Sequence, residues 1–313
     1  MEDNEKTERS QGVKGVLLLA FGGADSLEDV APFVSNVLRG RPVPPEFLDE
    51  IRERYRQIGG SSPLLSITKK QAEALEALLA RDGRRYKVFV GMLNWHPFIK
   101  DAILEMKEEG IEEAVAVIMA PHATEASTGG YRRAVREALG ETGGVPKIEF
   151  AGEWHTHPLF IEAVVEKMRE ALKAFDSPKD AHMIFTAHSL PKALLANDPY
   201  VRKIHETVRE ITDRINFEYR IAFQSKGRGD GWLGPEVEEI IIEASALAKE
   251  GVLIVPVGFV ADHVETLYDI DILYKEKAES MNLRFARSPS LNDSPKFIEM
   301  LADVVRSGKR IPA

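Results

Sequence analysis

The chain of 313 residues contains no cysteine. Disulfides, thiolate zinc sites, cysteine nucleophiles and cysteine-ligated iron–sulfur clusters are therefore excluded. Positive charge is also in deficit, because 41 Lys and Arg residues face 50 Asp and Glu residues and the net charge is -9. This balance argues against a nucleic-acid ligand, since nucleic-acid binders concentrate positive charge. It is better suited to a protein that handles cations.

Long hydrophobic runs are missing as well. The longest apolar stretch, 252–261, is about half of the roughly 20 residues that a membrane-spanning helix needs. Residues 1–12 are polar and charged and lack the apolar centre of a signal peptide, so we expect them to form a disordered leader. The sequence therefore favours a soluble, cytoplasmic protein without a transmembrane segment.

The apolar runs that are present are short and continuous, which is typical of buried parallel strands. They fall at 16–21, 88–93, 114–119, 183–187, 219–223 and 252–257. Segments with helical periodicity lie between them, at 67–80, 97–109, 160–175, 200–215 and 235–249. Strands that alternate with helices predict an α/β protein whose parallel sheets are covered by helices on both faces.

The order of elements in 88–122 is repeated in 219–263, which indicates two similar doubly wound domains. We place the first at 13–147 and the second at 148–288, with a C-terminal helix in 289–313 that could pack on either domain. Ligands of such sheets bind beyond the carboxyl ends of the strands. An active cleft between the domains is therefore expected.

The residues best placed for chemistry follow two of these strands. His188 ends the run at 183–187, and Asp262, Glu265 and Asp269 follow the run at 252–257. A histidine that is neutral near pH 7 can accept protons, and carboxylates can hold a hard or borderline cation. If the second segment is helical, Glu265 and Asp269 share one face and repel each other unless a cation or proton lies between them. The alternative is a solvated acidic face with Asp262 as the helix N-cap.

Several segments, in order along 14–305, resemble the ferrochelatase family, whose members insert ferrous iron into a porphyrin. The matching segments are 17–23 (LLLAFGG), Tyr55 with 58–64 (IGGSSPL), 184–191 (IFTAHSLP), 224–225 (QS), 232–235 (WLGP) and 256–268 (PVGFVADHVETLY). The resemblance implies two Rossmann-like domains of the chelatase type, with the C-terminal helix packed back on the first. It also implies a lyase of haem biosynthesis that takes Fe(II) and porphyrin as substrates, uses no nucleotide, and acts as a monomer.

By the same resemblance, His188 and Glu265 are the catalytic pair and the iron ligands. Asp269 belongs to an acidic line that guides or exchanges metal and protons. The chemistry agrees, because a free porphyrin is stiff, nearly flat and carries two inner N–H protons. Insertion therefore needs a base, a partly desolvated cation and a bent macrocycle, with the strain supplied by remote binding contacts.

The resemblance also implies a substrate-binding set. Arg39 and Arg41 are similar to the basic stretch of Gram-positive coproporphyrin ferrochelatases, and Ser62 and Tyr131 match positions near the porphyrin and its propionates. Arginine binds both oxygens of a carboxylate. Four propionates need more basic contacts than two, so coproporphyrin III is favoured over protoporphyrin IX. For Arg41 the alternative is a solvated basic turn.

Three positions depart from the family pattern and keep other functions open. Phe21, in the substrate-binding set, stands where many relatives have tyrosine, Leu93 where many are basic, and Leu273 where a glutamate would extend the acidic line. One alternative is a cobalt or nickel chelatase of the same fold, which would need further histidines such as His263 or His122. The other is a carrier that binds porphyrin or haem without catalysis.

The remaining histidines are predicted to be structural. His155 and His157 have a spacing that could bind a metal, but a surface loop is favoured for both. His182 and His205 carry no motif.

Overall fold

The computed structural model describes residues 12–82, 85–215, 217–227, 229–307 and 309–313. The predicted leader at 1–12 lies outside these residues except for Gly12. Along the chain the strands are β1 (Lys14–Ala20), β2 (Tyr86–Met92), β3 (Glu113–Ile118), β4 (Lys147–Ala151), β5 (Ala181–His188), β6 (Tyr219–Gln224), β7 (Gly251–Val255), β8 (Arg284–Arg287) and β9 (Arg310–Pro312).

The helices lie between these strands. They are α1 (Val30–Val37), α2 (Pro45–Gln57), α3 (Leu64–Leu79), α4 (Ile99–Glu108), α5 (Glu125–Thr142), α6 (Pro158–Leu172), α7 (Tyr200–Thr212), α8 (Val237–Ala246), α9 (Lys275–Ser280) and α10 (Pro295–Arg306), with a π-helix over Glu265–Tyr274. Short 3₁₀ turns occupy Ala80–Asp82, Pro178–Asp180 and Lys192–Leu194. Within the described ranges, no helix combines the length and the apolar character needed to cross a membrane.

The strands form two sheets within the described part of the chain. The first has the order β2-β1-β3-β4-β9, with β9 antiparallel to β4 and the other strands parallel. The second has the order β6-β5-β7-β8 and is parallel throughout. The predicted α/β class with parallel sheets is therefore confirmed.

Both faces of the central strands are buried, which explains their continuous apolar runs. In β1, Leu18 packs into the core shared with α3 and α10, whereas Leu17 and Leu19 pack into the core beneath α4 and α5. Successive side chains of a strand point to opposite faces, so each face needs its own apolar residues. The same argument applies to β5, where residues 181–187 are buried without a break.

The division between the sheets differs from the predicted boundary at 147/148. Residues 147–151 form β4, which pairs with β3 in the first sheet, so the first sheet extends to Ala151. This strand is short and only alternately buried, which leaves too weak an apolar signal in the sequence. The C-terminal segment returns to the same sheet, because α10 packs against α3 and α6 and β9 pairs with β4.

A small cluster of buried residues connects the first half of the chain with the start of the π-helix in the second half. Helices α1 and α2, which the sequence reading left unassigned, pack around Phe33, Tyr55 and Trp95. Val264, which immediately precedes the π-helix, packs against this cluster. Helix α2 therefore lies beside the π-helix of the second half.

Candidate active site

His188 and Glu265 meet at the carboxyl edge of the second sheet. His188 is the last residue of β5, and Glu265 is the first residue of the π-helix that follows the neighbouring strand β7. The carboxyl ends of neighbouring parallel strands lie side by side, which is where such sheets bind ligands. The Nε2 atom of His188 lies 3.5 Å from Oε1 of Glu265, and both side chains are partly exposed, by 34% and 26%.

The imidazole of His188 is oriented by contacts at its other nitrogen. Its Nδ1 lies 2.5 Å from the carbonyl oxygen of Ser189, to which it donates a hydrogen bond. The hydroxyl of Tyr200 donates to the main-chain oxygen of His188 at 2.9 Å. These contacts leave Nε2 facing Glu265, so Nε2 is the atom that can exchange a proton or bind a metal.

The two side chains stabilise each other's charged forms. Burial by itself lowers the pKa of His188, but the charge and hydrogen bond of Glu265 and the Ser189 carbonyl outweigh it and raise the pKa to about 9. Burial likewise raises the pKa of Glu265, but the positive charge of His188 holds that pKa far below its usual range. The expectation of a histidine that is neutral near pH 7 is therefore wrong for His188 as it stands in this structure, because a carboxylate lies against its ring.

The second oxygen of Glu265 has no hydrogen-bond donor among the described residues, although it is buried. The Nε2 atom of His263 lies 3.8 Å from this oxygen. Nδ1 of His263 donates a hydrogen bond to the Ala261 carbonyl at 3.1 Å, which leaves Nε2 as the ring nitrogen nearer Glu265. Buried carboxylate oxygens are normally hydrogen-bonded. A buried carboxylate oxygen without a hydrogen-bond donor, with an imidazole nitrogen 3.8 Å away, makes a position suited to a cation.

Asp269 lies further along the π-helix. Ser225 donates its hydroxyl to Asp269 at 2.5 Å, and Nη1 of Arg54 lies 3.5 Å from the other carboxylate oxygen. Burial, followed by the negative charge of Glu265, raises the pKa of Asp269 to about 6.

The π-helical winding of this segment keeps Glu265 and Asp269 near each other, and the negative charge of Glu265 contributes to the raised pKa of Asp269. Across the described ranges, no group of three or more His, Asp or Glu side chains is arranged to hold one metal. Glu265 thus pairs with His188, whereas Asp269 occupies a separate position next to Ser225.

Asp262 has a different role from the two considered in the sequence. The N-cap of the π-helix is Val264, so Asp262 as the helix N-cap is wrong. The Asp262 carboxylate instead receives hydrogen bonds from Arg287, Ser290 and Asn292. It anchors the start of the π-helix.

The predicted substrate-binding residues differ in how accessible they are. The ring of Phe21 is 45% exposed and contacts Phe33 edge to face, with centroids 6.4 Å apart. Ser62 is buried, and its hydroxyl accepts a hydrogen bond from the Leu64 amide at 3.3 Å. Tyr131 is only 6% exposed and belongs to the core of the first sheet, where burial raises its pKa. Among these residues, only Phe21 offers a broad surface.

Arg39 and Arg41 lie in the exposed turn that follows α1. Within the described part of the chain, the structure shows no ion pair or hydrogen bond from either guanidinium group. Both cations are therefore available to an anionic ligand.

The histidines with metal-like spacing lie elsewhere. Nε2 of His155 lies 2.8 Å from Glu206, and Nε2 of His157 lies 2.9 Å from Asp303. The surface-loop interpretation is wrong for His155, which is buried against α7. His122 is also buried there, 3.0 Å from the Thr207 hydroxyl.

The sequence reading missed Arg54 and Tyr200. Arg54 belongs to α2, where charged residues are frequent, and it contacts Asp269 across 215 positions of the chain. Its position beside the motif residue Tyr55 is the only signal that could have drawn attention to it.

Comparisons with known proteins identify the family of this chain. A family model described as Ferrochelatase matches residues 13–309. The ferrochelatase of Geotalea uraniireducens is 39% identical over 309 residues, covering 93% of this chain and 96% of the relative. That of Deinococcus radiodurans is 36% identical over 298 residues, covering 93% and 94%.

Two solved structures share the fold at low identity. The sirohydrochlorin chelatase SirB from Bacillus subtilis subspecies spizizenii, in complex with cobalt, has a TM-score of 0.58 at 12% identity and covers 95% of both chains. CbiX, described as the terminal enzyme of siroheme biosynthesis in denitrifying bacteria, has a TM-score of 0.53 at 12% identity and covers 94% of this chain and 99% of its own. At this identity the likeness concerns the chelatase-like fold alone.

Proposed function

Because this chain belongs to the ferrochelatase family, we propose that it inserts ferrous iron into a porphyrin, with His188 and Glu265 acting on opposite sides of the exchange of metal for protons. The observation that supports this most directly is the 3.5 Å contact between Nε2 of His188 and Oε1 of Glu265. The pair combines a group that carries a proton with a carboxylate whose other oxygen has no donor among the described residues.

The reaction replaces two inner protons of the porphyrin by one Fe(II). Glu265 holds the arriving ion through its carboxylate. A cation at Glu265 competes with the imidazolium for the same negative charge, so the proton on His188 becomes easier to lose. His188 releases its proton to solvent, which reaches its partly exposed ring. Nε2 then accepts the two porphyrin N–H protons one after the other, passing the first to solvent before it takes the second, while Asp269 provides the next carboxylate along the helix.

Coproporphyrin III is the favoured porphyrin. Arg39 and Arg41 are exposed, and the structure shows no partner for their charges among the described residues, so they can bind propionate carboxylates bidentately. Phe21 presents an exposed ring, an apolar surface against which a macrocycle can lie. A substrate with four propionates uses these cations more fully than one with two.

A cobalt or nickel chelatase is the second candidate, and His263 is the reason. Its Nε2 lies 3.8 Å from Glu265, so an additional imidazole ligand is within reach of the site. His122 is not such a ligand, because it is buried away from Glu265, where its ring contacts the Thr207 hydroxyl. The choice of metal therefore depends on whether His263 joins the coordination.

The experiment is an anaerobic metal-insertion assay. Purified protein is incubated with Fe(II), Co(II) or Ni(II) and with coproporphyrin III or protoporphyrin IX, and the loss of the free-base visible bands is followed. His188→Ala is compared with His205→Ala, a matched control on the exposed side of α7. Fe(II) insertion by wild type and by the control, but not by His188→Ala, supports the proposal.

The other outcomes are equally decisive. Porphyrin binding without insertion of any metal indicates a carrier. Insertion of cobalt or nickel in preference to iron supports the second candidate. Efficient use of protoporphyrin IX with no use of coproporphyrin III overturns the proposed substrate.

A further inference from the structure

The segment that carries Glu265 and Asp269 is wound as a π-helix over ten residues, Glu265–Tyr274. π-helical winding is rare and usually limited to a single turn inside an α-helix. Here the α-helix α9 follows it directly. A π segment of this length needs interactions that hold the wider winding in place.

Arg287, the last residue of β8, makes such interactions. Its Nε and Nη2 atoms donate to the two oxygens of Asp271 at 2.6 and 2.9 Å, and its Nη1 donates to Asp262 at 2.9 Å. The side chain is only 13% exposed, so these contacts are largely shielded from water. A bidentate pair fixes orientation as well as distance. One guanidinium therefore joins the residues on either side of Glu265 and Asp269.

Asp262, one end of this bridge, is itself held firmly. Ser290 donates to its Oδ1 at 2.7 Å, and Asn292 donates to its Oδ2 at 2.9 Å. The carbonyl of Asn292 accepts a hydrogen bond from Gln71 at 2.8 Å, which ties the assembly to α3. Arg287 thus links Asp271 to a fixed frame, by which we mean the hydrogen-bonded group of Asp262, Ser290 and Asn292.

The spacing of the residues that face this frame is that of a π-helix. Thr266 lies 3.4 Å from Oδ1 of Asp262, the oxygen that Arg287 also binds, and Asp271 lies on the other arm of Arg287. Thr266 and Asp271 are five positions apart, the hydrogen-bonding step of a π-helix. In an α-helix five residues cover about 500°, which would turn the two side chains roughly 140° apart. Thr266 and Asp271 can therefore both reach the frame and Arg287 only when the segment is wound as a π-helix.

We propose that Arg287 is a positioning residue that holds 265–274 in π-helical winding and so sets the distance from Glu265 to His188. The consequence for metal binding rests on the proposed function, whereas the winding itself does not. If Arg287 releases Asp271, the segment relaxes toward an α-helix. Glu265 and Asp269 then rotate away from His188 and Ser225.

The test is Arg287→Lys, which keeps the charge but loses the fork that binds two oxygens. The matched control is Arg284→Lys on the same strand, where Arg284 pairs with Glu250 at 2.9 Å away from the π-helix. In the insertion assay we expect the KM for the metal to rise about 10- to 100-fold in Arg287→Lys, in keeping with the loss of a residue that orients a ligand. The KM for porphyrin should stay within about twofold of wild type, and Arg284→Lys should change neither KM.

Asp271→Asn provides a second variant, because it weakens the same contact from the partly exposed partner. The effects of the two substitutions should not add in the double variant, since both remove one interaction. An unchanged metal KM in both variants would overturn the proposal.

A crystal structure of Arg287→Lys decides the winding independently of activity. An α-helix at 265–274 supports the proposed role of Arg287, and a retained π-helix contradicts it. A wild-type protein that inserts no metal would refute the proposed function but would leave this structural result valid.

Discussion

Removing the charge of Glu265 should reset the titration of His188. In the structure the pKa of His188 is raised to about 9 even though burial lowers it, and the main raising causes are the charge and hydrogen bond of Glu265. In Glu265→Gln only two weaker effects still raise the pKa of His188, namely the hydrogen bond to the Ser189 carbonyl and the charge of Asp269. They act against burial, which lowers it. We therefore expect the pKa of His188 to fall to about its ordinary value of 6.5 or below.

The size of this change follows from the two end points. A fall from about 9 to 6.5 corresponds to a coupling of about 3 kcal/mol between the charges. Solvent reduces the coupling, because a third of the His188 side chain is exposed. The same coupling makes the free energy of unfolding depend on pH. Its stabilising contribution is complete below the ordinary histidine pKa and is lost as pH rises through about 9.

The assay is an NMR titration of the histidine ring nitrogens from pH 5 to 10, with His188→Ala used to assign the signal. The control is Glu206→Gln, because Glu206 bonds a different histidine, His155, at 2.8 Å. In that variant the titration of His188 should match wild type. A His188 pKa that stays near 9 in Glu265→Gln would refute the reasoning, since the raised value would then have another cause.

Two further predictions concern stability. Leu75→Ala, at a fully buried core position, should lower the free energy of unfolding by about 2–5 kcal/mol, whereas Leu194→Ala, at a residue 58% exposed, should change it by less than about 0.5 kcal/mol; urea denaturation measures both. Burial, with the nearby charges of His155 and Lys203, lowers the pKa of His122 to about 3. The unfolded chain then binds one more proton between pH 6.5 and 3, so stability should fall as pH drops through this range by about 1.4 kcal/mol per pH unit more in wild type than in His122→Asn. Equal slopes in the two proteins would contradict a neutral buried His122.

Much of the fold could be predicted because its signals are local. A central parallel strand is buried on both faces, so β1, β5 and β7 appear as continuous apolar runs in the sequence itself. β4 could not be found in this way, because it is buried on alternate residues and only its pairing with β3 assigns it to the first sheet. Its membership depends on a partner strand some thirty positions earlier.

The candidate site was likewise predictable only in part from the sequence. The sequence placed His188 and Glu265 each at the end of a predicted strand, and only the structure shows that these two strands are neighbours. The sequence could not show that Glu265 holds His188 in its charged form, because that depends on a distance of 3.5 Å and on burial. For the same reason a neutral His188 was the wrong expectation.

The sequence by itself determined the alternation of strands and helices, the family motifs and the residue types available for metal and proton exchange. Only the tertiary structure decided the π-helical winding, the bridge of Arg287 to Asp262 and Asp271, and the contact of Arg54 with Asp269. Helical periodicity records which residues are buried, but the choice between α and π winding depends on partners that lie far away in the chain. Those partners are brought together by packing, and no local pattern encodes them.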